Sequence, residues 1–199
     1  MKGFQRQKIW DPVTRLWHWV FAFSVSGAWW LGEFMAFDTV EWHFYAGYMV
    51  LGLVLFRWVW GFTGPAPIRF RTFIYTPGET WQSLKQLGAR KPGGYPGHNP
   101  IGALSVFALL TSITFQAVTG LFIEADDFFE SGPLAGYVSE ETVNQLSGWH
   151  HLNAKILLIL IGLHLCAILF YWLWKKENLI KPMLTGWKWV KIEKGSEKQ

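Results

Sequence analysis

The chain is poor in the residues that hold small soluble domains together. Cys166 is the one cysteine among 199 residues. Alone, it can form neither an intrachain disulfide nor a zinc cluster. The lack of a C-x-x-C-H segment excludes covalent c-type haem attachment. Cys166 sits inside an apolar run, where a thiol serves as a small packing residue. The lack of an H-E-x-x-H segment argues against a zinc peptidase. Charge is also scarce: Asp, Glu, Lys and Arg make up 16% of the chain, against 51% hydrophobic and 18% aromatic residues. That balance is too apolar for an ordinary soluble domain. Internal repeats and low-complexity tracts are absent.

What is present is apolar sequence in long blocks, about Leu16–Phe37, His43–Phe62, Ile101–Ile123 and His150–Trp174. Each is close to the roughly 20 residues that cross a bilayer as a helix. These blocks leave little chain for anything else. The expected fold is an all-α integral membrane protein, a four-transmembrane-helix bundle forming one domain over residues 1–199. The opening segment MKGFQRQKIWDPVTRLWHW is basic, but the first block has full spanning length and is followed by the bulky LGEFMAFD. A cleavable leader needs a shorter run and small residues, so Met1 onward is expected to be retained.

Basic residues are segregated. Lys2, Arg6, Lys8 and Arg15 precede the first block. Arg69, Arg71, Lys85, Arg90 and Lys91 lie between the second and third. Lys175, Lys176, Lys181, Lys188, Lys191, Lys194 and Lys198 follow the fourth. The other two connections carry no Lys or Arg; they hold Glu33, Asp38 and Glu41, then Glu124, Asp126, Asp127, Glu130, Glu140 and Glu141. The positive-inside rule then puts both termini in the cytoplasm, with the chain multi-pass in the membrane. The loop 63–100 is cytoplasmic on this reading, and 124–149 periplasmic. Nucleic acid is not an expected partner, because the lysines follow helix ends instead of gathering in one patch.

Tryptophans cluster near the block ends, at Trp17, Trp19, Trp42, Trp58, Trp60, Trp149, Trp172 and Trp174, as an interfacial belt against membrane lipid. In the loop 63–100, TPGETWQSLKQL has the pattern of a short helix with Thr76 as N-cap, Pro77 at the first position and Glu79 at the third. Its Trp81, Leu84 and Leu87 share a face suited to the membrane surface. Pro100 can open the third helix. The acidic segment 124–149 contains DDFF and GPLAGYV, whose aromatics suit packing on the membrane or on a partner.

Six histidines stand in or beside this apolar sequence. With the first and third helices running outward and the second and fourth inward, His43 and His150 or His151 share the outer depth. His18 and His164 share the inner one. Two opposed neutral imidazoles at one depth can fill both axial positions of a haem iron, with no compensating carboxylate needed in a low-dielectric core. Rotation separates the neighbours. At about 100° per residue, the fourteen positions from His150 to His164 leave them within ~40°, whereas His151 points roughly 140° away. The rise over those fourteen positions is about 21 Å, enough to stack two haems. Gly47, one turn after His43, and Gly162 offer room for a flat macrocycle to approach. His151 is left as an interfacial polar residue or a propionate contact.

The segments VTRLWHW around His18, WHFYAGY around His43, RWVWGFTGP after it, GHNPIGALSV opening the third helix and WHHLNAKILLILIGLH together resemble the bacterial di-haem cytochrome b-561 family. That family includes the cytochrome b subunit of nickel–iron hydrogenases. The resemblance covers nearly the whole chain. It implies four helices, two non-covalent haem b groups, and electron exchange between membrane quinones and a redox partner. By position it carries the haem ligands to His18, His43, His150 and His164.

Three further residues are candidates for cofactor contact. Arg57, near the inner end of the second helix, is either a snorkelling arginine or a bidentate partner for an inner-haem propionate. Lys155 offers the same alternatives at the outer haem. His98, in GHNP, suits a propionate or the wall of a quinone pocket. The function expected is electron transfer between the quinone pool and a periplasmic redox protein, such as a hydrogenase or a c-type cytochrome. The acidic outer loops would suit a basic docking face on it. A stand-alone cytochrome b oxidoreductase reacting with superoxide or quinone is one alternative. A haem-free helical scaffold or transporter is the other.

Overall fold

A computed structural model describes residues 3–125 and 129–192. Lys2, Asp126, Asp127, Lys194, Lys198 and part of the DDFF segment lie outside the described residues. Four long helices dominate: α1 Pro12–Glu33, α2 Val40–Thr63, α4 Pro100–Gly120 and α5 Glu140–Leu173. Among the described residues, two short helices, α3 Pro77–Lys85 and α6 Ile180–Thr185, three single 3-10 turns at Ala66–Ile68, Phe70–Thr72 and Ala135–Tyr137, and four short strands complete the order. The strands are β1 Phe4–Lys8, β2 Glu124–Ala125, β3 Glu130–Ser131 and β4 Trp187–Lys191. Helices α2, α4 and α5 are long and apolar enough to cross a membrane. Much of their apolar surface is uncovered; in α5 only 11% of the apolar window is buried. A helix that apolar and that exposed needs lipid around it, so this is a multi-pass membrane protein. Helix α1 has spanning length at 22 residues, though it carries Arg15, His18, Glu33 and four tryptophans.

Helix ends are set by caps, and several differ from the ends of the apolar runs. Helix α1 starts at Pro12 because Asp11 caps it: Oδ1 accepts from the Thr14 amide at 3.0 Å and Oδ2 from the Thr14 hydroxyl at 2.7 Å. Asn99 caps α4 by accepting from the Gly102 amide at 2.7 Å, with Pro100 at the first position as expected. Helix α5 begins at Glu140, ten residues before the apolar run. Ser139 Oγ accepts from the Thr142 amide at 3.3 Å, and Glu140 and Glu141 lie at the positive end of the helix. Its 34 residues span about 51 Å, more than the roughly 30 Å of bilayer hydrocarbon.

The described chain divides into two compact units. One contains residues 3–16, 59–106 and 163–192. Strand β1 pairs antiparallel with β4, Phe4 opposite Lys191 and Lys8 opposite Trp187. These strands are an addition to the all-helical expectation. Beneath them Ile9, Trp10, Ile68 and Val190 form a buried cluster with Trp60 and Met183 against it. Gly186, at φ 84°, ends α6 in the left-handed conformation, and its carbonyl accepts from the amides of Ile9 and Trp10. Arg15 donates to the Leu184 carbonyl. Segment 93–97 is tied down by Glu177, whose Oε2 accepts from the Gly93 amide at 2.9 Å. Lys188 Nζ lies 3.2 Å from Glu177 Oε1 and donates to the Gly97 carbonyl at 3.3 Å. Helix α3 has the expected capping box at Thr76 and Glu79. Its far end is held by Lys175 Nζ on the Gln86 carbonyl and Trp174 Nε1 on the Gly88 carbonyl, leaving Trp81 and Leu84 exposed.

The other unit contains residues 17–58 and 107–162. Trp17 Nε1 donates to the Leu53 carbonyl at 2.8 Å, joining α1 to α2, and Trp58 Nε1 donates to Thr114 Oγ1 at 3.0 Å, joining α2 to α4. Helices α4 and α5 meet at Asn153. Its Nδ2 donates to the Ser112 carbonyl at 2.9 Å and to Gln116 Oε1 at 2.7 Å, and its Oδ1 accepts from Ser112 Oγ at 3.0 Å. Strands β2 and β3 pair in the connection between α4 and α5.

Candidate functional site

His43 comes from the first turn of α2 and His150 from α5, both within the second unit. Their ring centroids are 6.4 Å apart with planes at 78°. His43 Nδ1 lies 2.9 Å from the Ala28 carbonyl, which can only accept, so this nitrogen carries the proton. His150 Nδ1 lies 3.1 Å from Thr119 Oγ1. In both rings the Nδ1 edge is engaged, which leaves Nε2 for a ligand. A hydrogen bond fixing the far nitrogen is the usual support of a metal-bound imidazole.

Each ring also rests on a glycine of a neighbouring helix. A Cβ on Gly32 of α1 would come 2.8 Å from His43 Cε1, and one on Gly120 of α4 would come 3.2 Å from His150 Cε1. Any side chain at Gly32 would therefore displace the imidazole.

This geometry fits an iron between the two rings. Two metal–nitrogen bonds of about 2.0–2.1 Å plus two ring radii of about 1.1 Å from ordinary bond lengths sum to a centroid separation of about 6.3 Å. The rings stand at 6.4 Å. The donor set, two imidazoles and no carboxylate, suits a b-type haem.

The other candidates are placed as follows. His151 is exposed, and its Nδ1 lies 2.8 Å from the Ser147 carbonyl one turn back on its own helix. His18 is half-buried in the same unit as His43, edge-on to Trp19 at 5.3 Å. His164 is half-buried and belongs to the first unit. Arg57 is buried at 4% exposure, with its guanidinium 5.9 Å from the Trp17 ring centre. Lys155 is exposed.

His98 lies in the first unit between Trp10 and Phe73, at centroid distances of 5.1 and 4.9 Å. Its carbonyl accepts from the Tyr75 hydroxyl at 2.8 Å. Burial, with Tyr95 and Glu79 nearby, pushes the Tyr75 acidity constant up and keeps that donor protonated. A cavity of about 230 Å³ is lined by His98, Tyr75, Phe73, Thr72 and neighbouring proline and glycine residues.

The sequence reading missed Gly32, Gly120, Thr119 and the Ala28 carbonyl. The glycines it picked, Gly47 and Gly162, have open space around them: a Cβ there meets nothing within 4 Å. One signal was available, the Thr119–Gly120 pair at the C-terminal end of a helix with no histidine of its own.

An apolar multi-helix chain with half-buried, paired imidazoles suits a membrane cytochrome of the b class. The chain belongs to the prokaryotic cytochrome b561 family, which it matches over residues 9–186. It is thus a membrane haem b protein with an electron-transfer role. It is similar to a "Probable Ni/Fe-hydrogenase B-type cytochrome subunit" of Rhizobium leguminosarum bv. viciae, 25% identical over 93% of this chain and 90% of that protein. Proteins of the same description from Azotobacter vinelandii and Azotobacter chroococcum mcd 1 are 25% and 26% identical, each over 94% of this chain and 90% of the relative. No solved structure matches the chain.

Proposed function

We propose that the protein is a di-haem cytochrome b of the bacterial inner membrane that passes electrons between the quinone pool and a periplasmic redox protein. In this reading His43 and His150 hold the outer iron, and His18 and His164 hold the inner one. The pair His43 and His150, with ring centroids 6.4 Å apart and both Nδ1 edges engaged, is the observation that supports it most. The inner pair rests on depth order and on the spacing of His150 and His164 along one helix. Arg57 would neutralise an inner propionate. Lys155, exposed, would reach an outer propionate at the membrane surface. His98 would line a quinone pocket or contact a propionate. The relatives' hydrogenase association makes a hydrogenase the first partner to test, with a c-type cytochrome second.

The haem supplies reversible one-electron chemistry at its iron. The chain supplies the rest. Neutral imidazoles bind without placing net charge in the membrane core, where an uncompensated charge is costly. Nδ1 contacts orient the rings. Apolar helix faces exclude water, and Gly32 and Gly120 let their neighbouring helices close against the imidazoles. Single-domain organisation, four spanning helices and cytoplasmic termini belong to the same proposal.

Purified protein should contain two acid–acetone-extractable haems per chain with bis-imidazole low-spin spectra. A ratio near one restricts the reading to His43 and His150. Reporter fusions at the C-terminus and within 129–147 should report opposite sides of the membrane. A periplasmic C-terminus would overturn the assignment of depths. Reduction by quinol, compared with reduction by hydrogen in a co-purified hydrogenase complex, tests the two ends of the chain of transfer.

A further inference from the structure

We infer that Thr119 is a positioning residue for His150, selecting the ring nitrogen that faces the iron and setting the strength of that bond. The inference rests on His150 being a haem ligand, as proposed above. Thr119 is 2% exposed on α4. Its hydroxyl oxygen lies 2.8 Å from the Phe115 carbonyl and 3.0 Å from the Gln116 carbonyl, one turn back. A hydroxyl has one proton, and here carbonyls take it. Towards His150, at 3.1 Å, the oxygen can offer only a lone pair. Nδ1 of His150 is therefore the protonated nitrogen and Nε2 the basic one, the tautomer a metal needs.

The contact is built in by the helix pair. Ser112, Gln116 and Thr119 recur at four- and three-residue steps and share a face of α4. Asn153, one turn after His150 on α5, is 8% exposed and bonds to Ser112 and Gln116 through both ends of its amide. That lock fixes the rotation and rise of α5 against α4, and Gly120 gives the ring its clearance. Helix α4 contributes no histidine, yet it aims one. At His43 the direct Nδ1 partner is the main-chain carbonyl of Ala28, so no side-chain hydroxyl takes this part there.

Accepting a hydrogen bond from Nδ1–H makes Nε2 a stronger donor and favours the ferric state. Loss of such a support typically costs 10–100-fold in metal affinity. The Gln116 carbonyl also reaches this ring and would remain, so the lower end is expected. The holoprotein with Thr119→Val should keep both haems and show one midpoint potential raised by about a tenfold change in ferric-over-ferrous preference, about 59 mV for one electron. The second potential should be unchanged. Thr119→Ser, which keeps the hydroxyl, should behave as wild type in potential and in low-spin electron paramagnetic resonance.

If Thr119→Val fails to assemble, Thr119→Ala removes the hydroxyl without adding a methyl group and is read by the same criteria. Loss of one haem in both, with Thr119→Ser intact, also supports the assignment. Unchanged potentials in Thr119→Val or Thr119→Ala overturn it. So does a Thr119→Ser shift as large as that of Thr119→Val, because the methyl packing would then be responsible. His150→Ala retaining both haems would overturn the ligand reading itself, a different outcome from any of these.

Discussion

The two units of the molecule satisfy their polar groups in different ways. In residues 17–58 and 107–162, helices complete their own backbone bonding, and few polar side chains cross between them. Among those that do are Trp17, Trp58, Asn153 with its partners, and the two histidines with theirs. In residues 3–16, 59–106 and 163–192, the contacts join segments far apart in sequence and use the main chain freely: β1 with β4, Ile9 with Gly186, Gly93 with Glu177, Lys191 with Gly94. The cause is the solvent. A helix in lipid must satisfy its backbone internally, and every further polar group in it is costly without a partner. Loops and strand ends need other segments to complete them. Interior polar residues of the helical unit are therefore candidates for function, whereas those of the loop-bearing unit first explain how it is held together.

The sharpest way to break this comparison is to remove a ring from the facing pair. On the di-haem reading proposed above, His150→Ala or His43→Ala should lower the haem-to-protein ratio from two to one, while His151→Ala should keep both haems, since its Nδ1 is engaged by its own helix at the Ser147 carbonyl. Haem loss confined to His151→Ala would mean that α5 is rotated at the site. A graded version uses the glycines. Gly32→Ala must displace the His43 ring, with its Cβ at 2.8 Å, and should lose most of the haem proposed to lie between His43 and His150. Gly120→Ala, at 3.2 Å, needs only a few tenths of an ångström and should retain it with an altered spectrum. Equal haem content in the two variants would show that these contacts do not set the site.

Much of the helical unit was legible because hydropathy and histidine spacing are properties of one helix at a time. Spacing alone assigns His150 and His151 different rotations, and it is the His150 ring that lies 6.4 Å from that of His43. What supports the rings was not legible. Gly32, Ala28, Thr119 and Gly120 lie on other helices, and their relevance depends on which helix faces which. Helix ends were read from apolar runs, although caps at Asp11 and Ser139 place them four and ten residues earlier. A polar first turn is invisible to hydropathy. The strands were hidden differently: β4 alternates as WKWVK, a period-two pattern, but its partner lies at the other end of the chain and its lysines look like a basic tail.

In the loop-bearing unit the largest response should come from Glu177 and Lys188, whose side chains are 12% and 10% exposed. Glu177→Gln weakens the ion pair and the hold on Gly93. Lys188→Met leaves the carboxylate half-answered. Each should cost about 1–3 kcal/mol, the range for a buried polar group deprived of its partner. Faster amide exchange should appear in 93–97 and β4. The haem between His43 and His150 should keep its spectrum and potential. A shifted potential of that haem in either variant would mean that the two units do not divide the work in this way.

The smallest effect concerns α3, and its sign follows from the capping box. The Glu79 carboxylate accepts from the Thr76 amide at 2.7 Å and the Thr76 hydroxyl at 2.9 Å. These bonds hold its acidity constant below the ordinary carboxylate value, with a slight opposing contribution from burial. The folded helix thus binds its proton less readily than the unfolded segment. Its contribution is fully present above the ordinary glutamate value of about 4.3 and is lost as pH falls through the lower folded value. Near neutral pH no dependence is expected. Protection of the amides across 77–87, taken relative to their intrinsic exchange rates, should fall in mild acid in the wild type. Glu79→Gln, which cannot titrate, should abolish that acid step. Thr76→Ala should exchange faster already at pH 7, because the helix has lost its cap, and should show a weaker acid step because Glu79 has lost its hydroxyl partner. An undiminished acid step in Glu79→Gln would assign the acid response to another group. Haem content should stay constant throughout, because Lys175 and Trp174 still hold the far end of α3 and none of the imidazole contacts is touched.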